Sequence, residues 1–346
     1  MIGLSIKRCV SIAFYYSAEK DGPMKLAIVS ICKNEAKTVE ELIRRMPKKI
    51  KGVSSIEIII VNDGSTDDTV KLAKKSGATV YGSNRSQGLA FRFREITNIV
   101  LERGFDVMTN IDGDLQFNPE DIPKFVLPIV NDEVDFVAAD RFTDAKTGEI
   151  RKPANMPPVK YYGNKVGAWV VGKLSDEKFP DVTCGFRAYN QKALYALNIN
   201  GTHTYTQESF QILAARKMRI KAIPVEVKYF KDRKSRVVTS IPKYMVLSIM
   251  NILRSFRDFA PLRFFVILGS IPFIAGLACE LFLGVYWLNT MSFTPYKFVG
   301  FTGLYLITLG IFLYGLGLVA DMQVRVLNNQ EKTYEELRRL SHRKIK

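Results

Sequence analysis

Two long apolar runs near the carboxyl end constrain this chain more than any other feature. Phe264 to Leu288 is interrupted only by Glu280, and Phe298 to Ala320 carries no charge. Each exceeds the roughly 20 residues that a helix needs to cross a bilayer. A helix satisfies its own backbone polar groups there, so the pair reads as a two-span hairpin. Glu280 is expected to face the second helix or lie near the interface, because a lone acid in lipid is costly. Arg254, Arg257 and Arg263 precede the first run. Arg325, Lys332, Arg338 and Arg339 follow the second, and the connector Asn289 to Lys297 offers one lysine. The positive-inside rule then predicts an integral membrane protein with both termini, and everything ahead of the hairpin, in the cytoplasm.

The formal charge of +16 raises two partners, nucleic acid and an anionic membrane surface. No paired Cys/His finger, RNP-type aromatic motif or basic zipper is present, so nucleic acid has no support beyond charge. Ile241 to Phe259 mixes Met, Leu, Ile and Phe with Lys243, Arg254 and Arg257, an amphipathic pattern suited to the headgroup layer. The four cysteines, Cys9, Cys32, Cys184 and Cys279, are far apart and form no CxxC pair, which fits a reduced compartment and argues against a disulfide framework or zinc site. The two histidines, His203 and His342, cannot build a histidine metal centre. Lys7 and Arg8 ahead of the apolar Cys9 to Ala18 weakly resemble a signal peptide, but an extension ahead of Met24 is the blander account.

From Lys25 the chain alternates strand and helix. Apolar runs at Lys25–Ile31, Ile56–Val61, Ala78–Tyr81, Asp106–Ile111 and Val134–Ala139 read as strands. Thr38–Met46, a segment ending near Ala73, Gln87–Glu102 and a segment opening at Asn118-Pro119-Glu120 read as helices. Later come a loop over Thr143–Tyr162, a helix at Gly167–Leu174, a strand at Val182–Tyr189, a helix at Thr206–Lys217 and a strand at Ile220–Val227. This order predicts an α/β fold, a largely parallel sheet flanked by helices. The expected division is an extension at 1–23, a catalytic domain at 24–237, amphipathic interface helices at 238–261, a transmembrane hairpin at 262–324 and a basic cytoplasmic tail at 325–346.

Ligands of such sheets sit beyond the carboxyl ends of the strands. Glu35, Asp63, Asp112 and Asp114 all fall just after strands. The segment Asp112-Gly113-Asp114-Leu115-Gln116 is the strongest local signal. Two carboxylates one residue apart at a strand end can hold a hard divalent cation that bridges phosphates, with the Gln116 carbonyl as a third ligand. Glu35 and Asp63 are acceptors suited to ribose hydroxyls or a base N–H edge. Taken singly, each is as well explained by turn chemistry or helix capping.

Together these motifs resemble glycosyltransferase family 2, whose fold is GT-A. The residues that carry the resemblance are Ser30-Ile31-Cys32-Lys33-Asn34-Glu35, Val61-Asn62-Asp63-Gly64-Ser65-Thr66-Asp67-Asp68-Thr69, the Asp112/Asp114/Gln116 segment, and Asp181-Val182-Thr183-Cys184-Gly185-Phe186-Arg187-Ala188-Tyr189. The last is similar to a segment of the polyprenyl-phosphate branch, and the likeness is nearest to members that make dolichyl phosphate mannose and carry a two-helix anchor. The resemblance spans roughly Lys25 to Val237. It implies that Ile31, Glu35, Val61, Asp63, Asp112, Gly113 and Asp114 bind a nucleotide sugar, and that Asp112, Asp114 and Gln116 hold Mg²⁺ or Mn²⁺ on its diphosphate. Two segments depart from the family pattern. Asp232-Arg233-Lys234-Ser235-Arg236 lacks the usual glycine, and Ser86-Gln87-Gly88-Leu89-Ala90 is a thinner glycine-rich helix entry.

The acceptor can be argued from chemistry. A hydroxyl acceptor needs a general base, whereas a phosphate monoester is already anionic and needs guanidinium groups to position it. Arg141, Arg233 and Arg236 are the candidates for the acceptor phosphate, with Arg151, Arg187 and Lys234 in reserve. Arg141 joins Asp112, Asp114 and Gln116 in the expected catalytic set. Glu208 is a possible base for a hydroxyl acceptor, or else a helix-start acid with Thr206 as cap. The expected partners are GDP-mannose first, a dolichyl or other polyprenyl phosphate, and the lipid bilayer. The expected reaction is inverting hexose transfer. A glucosyl donor with an undecaprenyl acceptor is the near alternative. A processive polysaccharide synthase is more remote, since neither Trp169 nor Trp287 ends a Q-x-x-R-W segment. A non-catalytic sugar-nucleotide sensor is the other remote reading.

Overall fold

The computed structural model describes residues 23–199, 205–229, 250, 253–254 and 256–343. The Arg233, Lys234 and Arg236 segment, most of Ile241–Phe259, His203 and the extension before Pro23 lie outside the described residues. The chain opens with β1 (Met24–Cys32), α1 (Val39–Arg45), β2 (Val53–Asp63), α2 (Thr69–Lys75), β3 (Thr79–Ser83), α3 (Leu89–Glu102) and β4 (Val107–Asn110). It continues through α4 (Ile122–Val130), β5 (Phe136–Asp140), α5 (Pro158–Ser175), β6 (Arg187–Asn190), α6 (Gln191–Ala196), α7 (Thr206–Ala215) and β7 (Ile220–Pro224).

The seven strands form one sheet in the order β3-β2-β1-β4-β6-β5-β7. Only β6 in this sheet runs against its neighbours, β4 and β5. Both faces are covered, as the continuous apolar strands require. Along β1, Ala27 and Val29 turn into a core shared with Phe93 and Ile96 of α3, while Leu26 and Ile28 turn into one shared with Phe125 and Val126 of α4. The chain reverses direction across the sheet between β1 and β4, which is where an open α/β sheet leaves a ligand crevice.

Several expected boundaries move, three of them near the site. The strand foreseen at Val182–Tyr189 begins only at Arg187. The Arg187 guanidinium turns back to donate to the carbonyls of Cys184 (2.7 Å) and Val182 (3.0 Å), so the preceding residues form a loop held to the strand. The helix foreseen at Gly167 starts at Pro158, which shortens the preceding loop. The strand foreseen to Val227 ends at Pro224.

Two long helices follow, α8 (Pro261–Thr290) and α9 (Lys297–Arg343), each long and apolar enough to cross a membrane. They pack through glycines. A methyl group on Gly276 would lie 2.6 Å from the Gly303 carbonyl oxygen, and one on Gly269 would lie 3.0 Å from that of Gly310. Small residues let helix backbones approach closely where no hydrophobic effect drives association. Glu280 faces α9 as expected, since a methyl on Gly303 would sit 2.6 Å from its Oε1.

The tail expected from residue 325 is not a separate element. With no Gly or Pro from Ala320 to Arg343, α9 continues unbroken past its apolar run, supported by Asp321–Arg325 and Glu335–Arg339 ion pairs. It then grips the head. Arg216, just past α7, pairs with Glu335 (3.2 Å) and Glu331 (3.7 Å). Arg338 donates to Asn98 (2.7 Å), and the Arg339 guanidinium lies 4.9 Å from the Tyr195 ring centre.

The glycine contacts set a direct test. Gly276→Ala should destabilise the hairpin by about 1–3 kcal/mol, the usual cost of overpacking. Gly315→Ala, with open space around it, should stay within about 0.5 kcal/mol. Unfolding of the full chain in detergent compares the two, and equal effects would refute glycine packing.

Candidate active site

The carboxyl edge of the sheet is built by loops that latch one another. After β1, the Asn34 N–H donates to Ser65 Oγ (3.0 Å), and the Asn34 side chain accepts from Thr66 N–H (2.7 Å). Thr69 Oγ1 accepts from the Glu35 N–H (2.8 Å). Thr38 Oγ1 donates to the Gly113 carbonyl (2.7 Å) and to Glu35 Oε2 (3.3 Å), tying the loop after β1 to the one after β4. Gly113 is needed there: a Cβ would come 2.6 Å from Cys32 Sγ.

Asp63 is the centre of the next loop. Its buried carboxylate accepts from Ser86 Oγ (2.8 Å), Gln87 N–H (2.7 Å), Gly88 N–H (3.2 Å) and Arg92 Nε (3.1 Å). Burial alone would raise its pKa, but the donors from Gln87, Ser86 and Arg92 hold it below the ordinary carboxylate range. Asp63 therefore organises residues 83–92, the glycine-poor helix entry. Val61 is fully buried within the core and offers a ligand no surface in this conformation, contrary to its expected pocket-lining role. Ile31 is only half-buried at the carboxyl end of β1.

Asp112 and Asp114 are both partly exposed. Leu115 takes a positive φ of 58°, rare for a leucine, and this turn lets the Gln116 N–H reach Asp114 Oδ1 (3.1 Å). The backbone oxygen of Gln116 accepts from Lys228 N–H (2.9 Å), which leaves its side-chain amide oxygen for other use. Among the described residues no group of three or more His, Cys, Asp or Glu side chains could hold a metal. Two carboxylates and one amide still fit a cation that takes its remaining oxygens from a diphosphate and water.

The reversed strand β6 completes the edge. Because it runs antiparallel, its amino-terminal side meets the carboxyl ends of β4 and β5, which brings residues 181–185 into the crevice. The Gly185 carbonyl accepts from Asn110 Nδ2 (2.9 Å), and a Cβ on Gly185 would lie 2.6 Å from Asp112 Oδ1. Arg141 follows β5 and is buried in a two-pronged pair with Asp181 (2.6 and 2.9 Å), with Thr183 Oγ1 at 2.5 Å and the Tyr229 hydroxyl at 3.2 Å. Burial opposes ionisation of Asp181, but Arg141 and Thr183 hold its carboxyl below the ordinary range.

Sequence reasoning missed Asp181 as the partner of Arg141, and it missed Lys160. Lys160 Nζ lies 5.1 Å from the Tyr229 ring centre. Burial and the nearby Arg141 lower its pKa, while Asp114, Asp112 and Asp181 oppose them. One turn along α5, Asn164 is buried with its Nδ2 unpartnered among the described residues. No motif marks Lys160; only the extended length of α5 brings it to the site. Arg187, held in reserve for phosphate, is fully buried over the rings of Phe136, Tyr205 and Phe210, so it is a core residue. Arg151 is half-exposed and pairs with Asp144 (2.7 Å). Glu208 sits in the first turn of α7, where Tyr205 rather than Thr206 holds the cap position. Burial pushes the Cys32 and Cys184 thiols up to about 12, so neither is a nucleophile near neutrality.

The Asp63 hub predicts a pH dependence. Its folded pKa lies below the unfolded value of about 3.9. Its contribution is complete above that pH and is lost as pH falls through the lower folded value. Asp63→Asn should cost about 2 kcal/mol at neutral pH, and the gap to the parent should close as pH falls through the lowered folded-state value of Asp63. Acid-unfolding curves for both chains check this; parallel curves would refute it.

The chain is similar to known proteins in family, sequence and fold. Residues 27–197 match the family described as Glycosyl transferase family 2. The chain is 23% identical over 321 residues to glycosyltransferase AglJ of Haloferax volcanii, covering 91% of this chain and 99% of that one. It is 26% identical over 210 residues to the UDP-N-acetylglucosamine–dolichyl-phosphate N-acetylglucosaminyltransferase of Methanococcus voltae, covering 55% and 82%. It is 28% identical over 184 residues to the dolichol-phosphate mannosyltransferase of Pyrococcus furiosus, covering 51% and 49%. Among solved structures, glucosyl-3-phosphoglycerate synthase from Mycobacterium tuberculosis superposes with a TM-score of 0.51 at 18% identity, covering 66% of this chain and 80% of that one. At that identity the likeness is one of fold.

Proposed function

Since this chain carries a glycosyl transferase family 2 domain of GT-A fold in residues 27–197, we propose that it transfers a hexose, mannose first, from a nucleoside diphosphate sugar to a polyprenyl phosphate. One observation carries this reading. Lys160 lies within electrostatic reach of Arg141 and of Asp112 and Asp114, and the chain continues into two membrane-length helices. The carboxylates suit the donor diphosphate and the cations suit an acceptor that is itself a phosphate.

Asp112, Asp114 and the Gln116 side chain would hold Mg²⁺ or Mn²⁺, which when bound offsets the negative charge of the diphosphate leaving group. Glu35, Ile31 and Gly113 border the nucleotide, and Asp63 keeps the loop at residues 83–92 in place beside it. An acceptor phosphate oxygen attacks the anomeric carbon from the face opposite the diphosphate. The new carbon–oxygen bond forms as the old one breaks, the nucleoside diphosphate departs, and the anomeric configuration inverts. No base is required, because the attacking oxygen is already anionic. Asp181 holds Arg141 so that its remaining N–H faces toward Tyr229 and the acceptor end, and Lys160 supplies a point charge there. Arg233 and Arg236 are proposed to join them. Glu208 would serve as base only for a hydroxyl acceptor. The hairpin anchors the head, which the basic flanks put on the cytoplasmic side.

The donor sugar is the finer part of the proposal. The relatives support mannose and N-acetylglucosamine donors, and a glucosyl donor with an undecaprenyl acceptor remains the alternative to mannose and dolichol.

The test uses the full chain in lipid nanodiscs with Mn²⁺ or Mg²⁺, a short polyprenyl phosphate, and GDP-mannose, UDP-glucose or UDP-N-acetylglucosamine in turn. Glycolipid should form fastest with GDP-mannose. Faster turnover of another donor reassigns the sugar, and no product with any donor refutes the function. Gly185→Ala should lower kcat by about a hundredfold or more with the fold retained, as removal of transition-state electrostatics does. Lys160→Gln should raise the acceptor KM by roughly tenfold or more, the loss of one charge-assisted contact, with donor affinity unchanged.

A further inference from the structure

The outward face of α5 carries an apolar stripe that the fold leaves uncovered. Val159, Tyr162, Val166 and Trp169 are 44%, 66%, 52% and 64% exposed. Their spacing of three, four and three residues puts them on one side of the helix. The opposite side holds Asn164, Ala168 and Val171, all buried. Ile150, on the loop ahead of α5, is exposed as well. Lys165 and Lys173 flank the stripe. Large apolar residues ordered in this way are not the scattered exposure that any surface shows.

We infer that this face of α5 sits in the headgroup layer of the bilayer, so that one helix touches lipid on its outer side and the reaction site on its inner side. Three observations favour lipid over another protein surface. The stripe ends in Trp and includes Tyr, the side chains that favour the membrane–water boundary, and lysines border it. The chain already carries membrane-length helices. The height of the head is also bounded. The ion-paired Glu331 and Glu335 stand roughly 15–21 Å along α9 from Asp321, where the apolar run ends, at the helical rise of about 1.5 Å per residue. A head of about 200 residues has a radius of roughly 20 Å. A head gripped at its own radius above the lipid must meet the headgroups, and α5 offers a face suited to them.

The same helix presents Lys160 to the crevice. A lipid whose phosphate lies at headgroup depth then meets Lys160 without leaving the membrane plane. This placement rests on the membrane anchoring proposed above and not on the identity of the donor.

The chain's two tryptophans give the test. With Trp287→Phe, Trp169 is the sole emitter. The full-length variant is placed in vesicles of equal parts neutral and anionic phospholipid, with or without bromine on the acyl carbons nearest the headgroups. Insertion by roughly 5–10 Å should cost about half of the Trp169 emission in the brominated vesicles and shield it from aqueous acrylamide. Emission quenched by acrylamide and not by bromine would overturn the inference. Shielding from both would also overturn it, since Trp169 would then be covered by protein, such as residues 230–249 or a second copy. A second variant, Val166→Glu with Trp169→Glu, should raise the KM for the lipid phosphate at least tenfold while nucleotide binding stays unchanged. Because the quenching does not depend on turnover, it separates failure of this surface from failure of the transfer reaction.

Discussion

The reversal of one strand governs the reaction edge of this protein. Had β6 run with its neighbours, its carboxyl end would have met the crevice and residues 181–185 would have lain at the opposite edge. Running backwards, β6 brings Gly185 against Asp112 and delivers Asp181 to Arg141. The contact at Gly185 allows no side chain, so the position of the Asp112 carboxylate and the path of this loop are fixed together. The two halves of the site, one from β1, β2 and β4 and the other from β5, β6 and α5, are thereby joined at Gly185, through its tight approach to Asp112 and its carbonyl's hydrogen bond from Asn110.

Much of the site's charge is committed before any ligand arrives. Asp63 is surrounded by donors and Arg141 is clamped by Asp181 and Thr183. Removing one member of a buried pair strands the other, which costs several kcal/mol. These groups therefore act as rigid supports, and they hold their neighbours in place. Asp112, Asp114 and Lys160, by contrast, are partly exposed. A rigid shell behind a small set of accessible charges is the arrangement that lets electrostatic stabilisation act without reorganisation during reaction.

The sheet, the order of its elements and the pair of long apolar helices were legible in the sequence, because periodicity and apolar length depend on local residues. Glu35, Asp63, Asp112 and Asp114 were legible as strand-end acids for the same reason. Their partners were not. Nothing in the order of residues says that Asp181 will meet Arg141, forty positions away, because that pairing depends on the reversal of β6. Arg187 looked like a phosphate binder, and only the surrounding Phe136, Tyr205 and Phe210 rings make it a core residue. Lys160 lay in what read as a loop, since Pro157, Pro158 and Gly163 mask the start of α5. The continuation of α9 was hidden by its polarity: past Ala320 the hydrophobic signal ends, although the helix does not.

That continuation changes what the anchor does. Had the chain ended in a loose basic tail, the hairpin would have restrained the head through the segment before Pro261 alone. A helix that continues past its apolar run and grips Asn98, Tyr195 and Arg216 adds a second connection, and one of fixed length. Two connections restrict the rotation of the head that a single linker would allow. With the placement inferred above, the face turned to the lipid is selected by the fold itself, since α5 has apolar side chains outward and Lys160 inward. Recognition of a phosphate at the end of a long lipid requires both at once: a polar site open to the headgroup plane, and an apolar border so that the lipid tail never has to enter water.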